Sequence, residues 1–365
     1  MKGKAKRIRG PRPDGDGKPT AVDLFCGCGG LTVGLKKAGF RVLGAVDVDP
    51  PAVKTYKANH RDVTLWEKDI RELDPQELLD ELGLKKGGLD LLAGCPPCQG
   101  FSTMRTLNGA VSVDDPRNDL LVEFERFVEA LRPRSVMLEN VPGLAADKRY
   151  AAFCKRLKDL GYLGAHKILN AADYGVPQRR RRLIYLAGYG VQIPFAEKVK
   201  ERKTVADAIR GLPKAGKSGD PVHDMSERHS PRILELIKSI PKNGGSRTDL
   251  PRESQLACHR RCDGFKDVYG RMAWKDVAPT ITSGCFNPSK GRFLHPKENR
   301  AITMREAALL QGFPRRYKFP VTTSKSAIAL LIGNALPPPF IYCHAKQIKK
   351  HLSDIQMWVF RDCCA

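Results

Sequence analysis

TAVDLFCGCGGLTVGLKKAGFRVLGAVD, residues 20–47, is the stretch whose reading decides the fold. Thr20–Phe25 is a short, mostly apolar run of the length of a buried strand. Gly27, Gly29 and Gly30 then open a turn, and Leu31, Leu35 and Ala38 recur at helical spacing. RVLGAVDVD, from residue 41, is a second apolar strand that ends in acids. Strand, glycine loop, helix, strand, acid is the nucleotide-binding half of a doubly wound α/β sheet. A dinucleotide fingerprint would need glycines at 27, 29 and 32; position 32 is Thr, and that weakens a pyrophosphate reading. An open loop led by Asp23 better suits an adenosine ligand with a positively charged amino-acid tail. Asp47 is then placed to hydrogen-bond ribose hydroxyls. On this stretch alone, a purely structural glycine turn stays open.

Working outward, VTLWEKDIREL puts Asp69 at a strand end. There it could accept from an adenine amino group, with Ile70 against the ring. The alternative is a surface acid ahead of a helix over Pro75–Leu82. LDLLAGCPPCQGFS reads as a buried strand, Leu89–Ala93, followed by a loop. Ligands bind outside the carboxyl ends of strands in doubly wound sheets, so this loop delivers Cys98 to the crevice. A thiolate is a nucleophile, and Pro97 stiffens its approach. A redox reading of Cys95-Pro-Pro-Cys98 would need the motif to open a helix, which Gly100 and Phe101 disfavour. Zinc is conceivable from Cys95 and Cys98 with Cys258 and Cys262, but the second pair has no evident mate, and no metal is expected.

The chain has 365 residues, with 63 Lys+Arg against 40 Asp+Glu, a net charge of +23. At 41% hydrophobic it has the material for a core, which excludes a wholly disordered chain. No membrane helix is expected, and the basic N-terminus lacks the apolar segment of a secretory signal. The 11 cysteines are expected as reduced thiols. Residues 1–18 carry +5 and read as a flexible basic tail. Residues 196–300 carry +9 and are rich in Pro, Gly and Ser, which suggests an irregular, loop-rich domain. This excess charge points to a polyanion, nucleic acid before membrane, with solubility as the bland alternative.

Nine stretches in order carry a resemblance: DLFCGCGGLTVGL, GAVDVDPPAVKTYKANH, KDI, GCPPCQGFS, DPRNDLLVEF, MLENVPGL, YGVPQRRRRLIYLA, RAITMREAALLQGFP and IGNALPPP. They run from Asp23 to Pro339, and the sequence resembles the cytosine carbon-5 DNA methyltransferases of bacterial restriction-modification type. The resemblance implies a class I, Rossmann-like methyltransferase fold, doubly wound and mostly parallel, with a small irregular target-recognition domain. It divides the chain into a catalytic domain over 19–195 and 325–365, a target-recognition domain over 196–300, and a hinge over 301–324.

It also implies the chemistry. Cys98 adds to carbon 6 of a flipped-out cytosine, and Glu139 serves ring nitrogen 3. The family pattern Gln-x-Arg-x-Arg falls on Gln178, Arg180 and Arg182. Arg182 is then the contact to the cytosine carbonyl and Arg180 a loop or phosphate contact. The implied methyl donor is S-adenosylmethionine, leaving as S-adenosylhomocysteine. Its expected contacts are Asp23, Phe25, Gly27, Gly29, Gly30, Asp47, Val48, Asp69, Ile70, Pro97, Leu120 and Asn334. Asp47 and Val48 depart from a frequent Glu and bulky neighbour, which puts adenine stacking at position 48 in doubt. Expected DNA contacts are Ser102, Arg105, Arg247, Arg260, Arg261 and Arg271, the first two on a loop closing over the DNA.

Double-stranded DNA is the expected partner, with a cognate endonuclease acting separately. The protein is expected to be a monomer, cytoplasmic and nucleoid-associated, with no membrane partner. A tRNA-cytosine methyltransferase, a non-catalytic DNA-binding protein and an oxidoreductase are the competing readings.

Overall fold

The computed structural model describes residues 17–97, 120–225, 227, 229–260 and 266–362. Seven strands form one sheet: β1 (Thr20–Leu24), β2 (Arg41–Val46), β3 (Thr64–Trp66), β4 (Leu91–Gly94), β5 (Ser135–Asn140), β6 (Tyr162–Asn170) and β7 (Arg181–Tyr189). Their order is β3-β2-β1-β4-β5-β7-β6. The first five pair in parallel, while β7 runs antiparallel to both β5 and β6. The strand order reverses between β1 and β4, so a crevice opens at their carboxyl ends. There the Cys95 amide donates to the Leu24 carbonyl at 3.3 Å.

The first strand stops one residue short of the expected Phe25, because Phe25 takes φ 59 and turns out of the sheet. The strand expected over Leu89–Ala93 is displaced to Leu91–Gly94, and the helix expected over Pro75–Leu82 forms over those residues. That helix is capped by Asp74, whose side chain accepts from the Gln76 amide, and it ends at Gly83 in the left-handed region.

Around the sheet lie α1 (Gly30–Ala38), α2 (Pro50–Asn59), α3 (Pro75–Leu82), α4 (Leu120–Leu131) and α5 (Lys148–Asp159). Alternation along the strands supplies both faces. Val22, Leu24, Leu183, Tyr185 and Ala187 share a core with Leu78, Phe124 and Phe153 of α3, α4 and α5. Ala21, Ile184 and Leu186 share the other with Leu31 and Leu35 of α1.

Beyond the sheet come α6 (Val205–Ile209), α7 (Pro231–Ser239), α8 (Ala257–Arg260), α9 (Met304–Gln311), α10 (Lys325–Asn334) and α11 (Pro338–Asp362). A third core joins Cys28 and Ala52 to Val205, Ile209, Ile281, Met304, Leu310 and Ile328. A small fourth core gathers Leu236, Ile237, Ile240, Leu250, Tyr269 and Leu294. The chain returns to its start through α11, whose Phe340, Ile341 and Ala345 pack into the α1 face.

Lys325–Leu352 is apolar and long enough, by composition, to cross a membrane, with a mean hydropathy of 1.4. In the structure α10 and α11 are separate helices, and 56% of that apolar window is buried inside the fold. Its apolarity is accounted for by packing.

Candidate active site

Glu139 is the next-to-last residue of β5, and the residue is only 8% exposed. In the antiparallel β5–β7 register it lies opposite Ile184, so Arg182, two residues before Ile184, is its diagonal neighbour on the same face. The Arg182 guanidinium pairs with the Glu139 carboxylate, Nε to Oε1, at 2.9 Å, and its Nη1 donates to the Arg181 carbonyl at 2.7 Å. Burial pushes the Glu139 carboxyl above its ordinary value, against the opposing pull of the Arg182 and Arg180 charges. The Cys95 thiol lies within hydrogen-bonding reach of the same carboxyl. Next along the strand, the Asn140 Nδ2 donates to the Pro96 carbonyl at 2.9 Å. The end of β5 thus grips the segment that leads to Cys98. Cys98 itself lies outside the described residues, as do Ser102, Arg105 and Arg261; of the expected tail, residues 17 and 18 are described.

The glycine loop after β1 faces the same crevice. Asp23 is fully buried; its Oδ2 accepts from Thr32 Oγ1 at 2.6 Å, and its Oδ1 has no partner. Burial pushes its pKa up to about 7. Asp47 accepts from the Gly27 amide at 2.7 Å and from the Asp49 amide at 2.9 Å, so it first of all shapes the loop. The glycines divide by what surrounds them. Gly27, at φ 53, looks into open space. A Cβ at Gly29 would lie 2.5 Å from His60 Nε2 and 2.6 Å from the Tyr317 hydroxyl. At Gly30 it would lie 2.4 Å from the Leu336 carbonyl oxygen. Gly27 alone of the three leaves room for a ligand; Gly29 and Gly30 let buried groups approach the backbone. An open cradle with an unpartnered buried carboxylate oxygen beneath it suits a cationic adenosine ligand such as S-adenosylmethionine. Val48, 61% exposed, adds an apolar shelf at the end of β2.

Other expected cofactor residues are placed less simply. Asp69 is already taken by Arg71, which donates its backbone amide and Nε, each at 3.0 Å, and its Nη2 at 2.5 Å. The Ile70 side chain belongs to the hydrophobic core beside Leu73, so its expected packing on an adenine ring is corrected to a core role. Phe25 and Leu120 are half-buried, Pro97 is exposed, and Asn334 is exposed at the end of α10.

Arg180 takes the loop contact expected of it, while Arg271 and Arg247 do something other than expected. Arg180 is buried and donates to the Ile281 carbonyl at 3.1 Å and the Gly333 carbonyl at 2.9 Å. It ties the loop at Ile281 to the end of α10, so it is a positioning residue. Arg271 is 0% exposed. Its guanidinium donates to the carbonyls of Ile237, Ile240, His295 and Glu298 and to Asn299 Oδ1. Two of those carbonyls lie at the C-terminal end of α7, where a cation is favoured. Arg271 is therefore a structural centre and not a DNA contact. Arg247 is likewise buried in its 3-10 turn. Arg260 is exposed on α8.

Sequence reasoning named Gln178 only as part of a motif and missed His60 and Tyr317, yet these residues hold the pieces together. Gln178 accepts from the Ile281 amide at 2.9 Å and donates to the Leu310 carbonyl at 3.3 Å and to Gln311. His60 and Tyr317 meet at 3.0 Å across 257 residues of sequence. Nothing in the local sequence could have paired groups that far apart. Among the described residues, no group of three or more His, Cys, Asp or Glu side chains could hold a metal ion.

The chain is similar to known proteins over most of its length. The type II methylase M.HgiDII of Herpetosiphon aurantiacus is 38% identical over 350 residues, covering 92% of this chain and 96% of its own. The type II methyltransferase M1.HphI of Haemophilus parahaemolyticus is 36% identical over 338 residues, covering 91% and 87%. A crystal structure titled as a DNA modification methyltransferase encoded within an E. coli prophage superposes with a TM-score of 0.66 at 27% identity, covering 93% of this chain and all of that one. Residues 20–350 match the family described as C-5 cytosine-specific DNA methylase, and the chain belongs to that family.

Proposed function

We propose that this DNA (cytosine-5-)-methyltransferase works through Cys98 as nucleophile, with Glu139 and Arg182 on the target base. One observation carries the reading: a buried Glu139, its carboxyl pushed above the ordinary value by burial and clamped by Arg182, stands beside the Asn140–Pro96 tie in the segment that leads to Cys98. Carbon 5 of cytosine is a poor nucleophile. The Cys98 thiolate adds to carbon 6, the Glu139 carboxyl gives its proton to ring nitrogen 3, and the ring becomes an enamine whose carbon 5 is electron-rich. S-adenosylmethionine, when bound, supplies an electrophilic methyl group and leaves as S-adenosylhomocysteine. With the methyl group on carbon 5, the carbon-5 proton departs to a bound water, the carbon 6–sulfur bond breaks as the thiolate returns, and ring nitrogen 3 gives its proton back to Glu139. Arg182, fixed by Glu139, keeps its remaining donors for the cytosine carbonyl. Asp23, Gly27 and Asp47 serve the cofactor tail and ribose.

The target base is extruded from the duplex, at a cost of a few kcal/mol of unstacking. The basic region 196–300 reads the flanking sequence, with Arg260 on the DNA. Residues 19–195 and 325–365 form the catalytic domain, and 301–324 the hinge. The relatives named as type II methyltransferases favour a restriction-modification role, with a separate endonuclease, for a monomer acting on chromosomal DNA in the cytoplasm.

The test is Cys98→Ser. Methylation of duplex DNA is expected to vanish while calorimetric binding of S-adenosylmethionine persists. Methyl transfer retained in that variant would overturn the mechanism. Bisulfite sequencing of DNA from cells expressing the wild-type protein then reads out the target sequence.

A further inference from the structure

The glycine loop that cradles the cofactor is held from behind by a residue almost 300 positions away. The Tyr317 hydroxyl donates to the Cys28 carbonyl, in the middle of the loop, and sits 3.0 Å from His60 Nε2. Its one proton is committed to Cys28, so His60 must be the donor in the second bond, with Nε2 protonated. The other ring nitrogen then faces Lys36 Nζ at 3.5 Å as an acceptor. His60 is therefore neutral, in keeping with burial and the Lys36 charge, which pull its pKa down to about 4.

This contact is built and not incidental. Tyr317 is almost fully buried, and its ring packs against Phe313 and Phe319 at 4.7 and 5.4 Å. The next residue is zipped to α2 by a reciprocal pair: Asn59 Nδ2 donates to the Lys318 carbonyl at 2.8 Å, and the Lys318 amide to Asn59 Oδ1 at 2.9 Å. Arg305 of α9 holds the Tyr317 carbonyl at 2.8 Å and pairs with Asp220 by its other nitrogens. The backbone of Gly29 is pressed so closely onto His60 and Tyr317 that no Cβ fits there. On the other side of the loop, Thr32 donates to Asp23 and meets the Tyr56 hydroxyl at 2.8 Å.

We propose that Tyr317 and His60 are positioning residues for the cofactor: they fix the Gly27–Gly29 turn in its ligand-ready shape, so that S-adenosylmethionine affinity depends on the late segment 305–318. Neither side chain needs to touch the ligand. The strut works by removing loop conformations that binding would otherwise have to freeze out. The inference rests on the functional reading above, in which Gly27 and Asp23 face the cofactor.

The experiment is isothermal titration of the full chain with S-adenosylmethionine. Wild type is measured first; if it binds none, the functional reading fails and this inference with it. Given wild-type binding, Tyr317→Phe keeps the ring and deletes the hydroxyl, and Kd is expected to rise about three- to tenfold. KM for the cofactor should rise by the same factor, with DNA affinity unchanged. His60→Gln retains an N–H donor and should stay near wild type, whereas His60→Leu should match Tyr317→Phe. Unaltered cofactor Kd in both Tyr317→Phe and His60→Leu, with only a lowered melting temperature, overturns the proposal and leaves the strut a purely structural tie. Should Tyr317→Phe fail to fold, the contrast between the two His60 variants decides alone.

Discussion

Glu139 and Asp23 are both acids buried at or near strand ends, yet their surroundings set them different tasks. Glu139 has an arginine at 2.9 Å, and Asp23 has only the Thr32 hydroxyl. On the proposed mechanism, Glu139→Gln removes the proton donor to ring nitrogen 3 while keeping the shape. Its kcat is expected to fall by about 10²- to 10⁴-fold, with DNA binding retained, as steady-state kinetics and gel shift would show. Asp23 makes a stability prediction. Its folded pKa of about 7 lies above the ordinary carboxyl value, so the folded chain binds the proton more tightly. The resulting stability is full at low pH and is lost as pH rises from about 4 to 7, then levels off, on the order of 4 kcal/mol at most. Asp23→Asn lacks this term. Urea denaturation of both proteins at several pH values should show wild type losing ground to the variant as pH rises through that window. A constant difference would mean that Asp23 does not hold the proton. Sequence identified both acids by position in a motif, but not their burial, which is a property of what packs around them.

At the level of elements, two contacts carry more than their residues suggest. Gly34 of α1 faces α11 so closely that a Cβ would lie 2.6 Å from Ile341 Cβ and 2.8 Å from the Pro338 carbonyl oxygen. Gly34→Val is expected to cost about 1–3 kcal/mol or more by overpacking, read as a drop in the urea midpoint. Arg271→Met leaves the Ile237 and Ile240 carbonyls without their donor at the end of α7. Each buried acceptor left unpaired costs about 1–3 kcal/mol, so the loss should be large and local. Hydrogen exchange should accelerate over residues 236–240 and leave the central sheet unchanged. The glycine spacing in GLTVGL was visible in the sequence, yet its partner at Ile341 was not. Arg271 was read as a surface cation for the opposite reason: charge on a sequence carries no sign of burial, and only the surrounding carbonyls reveal it.

Over the whole molecule, the charge of +23 sorts into several duties. Arg180, Arg247 and Arg271 are buried and serve the fold, so fewer cations are left for nucleic acid than the sequence total implied. DNA affinity is expected to fall linearly with salt on logarithmic axes, as counterion release requires. Arg260→Ala should reduce that slope by about 1 if Arg260 sits on a phosphate. Filter-binding titrations over a range of salt concentrations measure this, and an unchanged slope removes Arg260 from the interface.

The order of β1, glycine loop, α1 and β2, the strand ahead of the Cys95-Pro-Pro-Cys98 motif, and the place of Glu139 at the end of β5 were all determined by sequence, because each rests on local periodicity or a contiguous motif. Tertiary structure alone decided which acids are buried, which arginines are spent internally, that an apolar run of membrane length is packing surface, and that Tyr317 reaches back to the Cys28 carbonyl. Those outcomes depend on contacts between segments up to some 300 residues apart. Burial and hydrogen-bond partnership are fixed by what the folded chain brings together, and no short stretch of sequence contains that information.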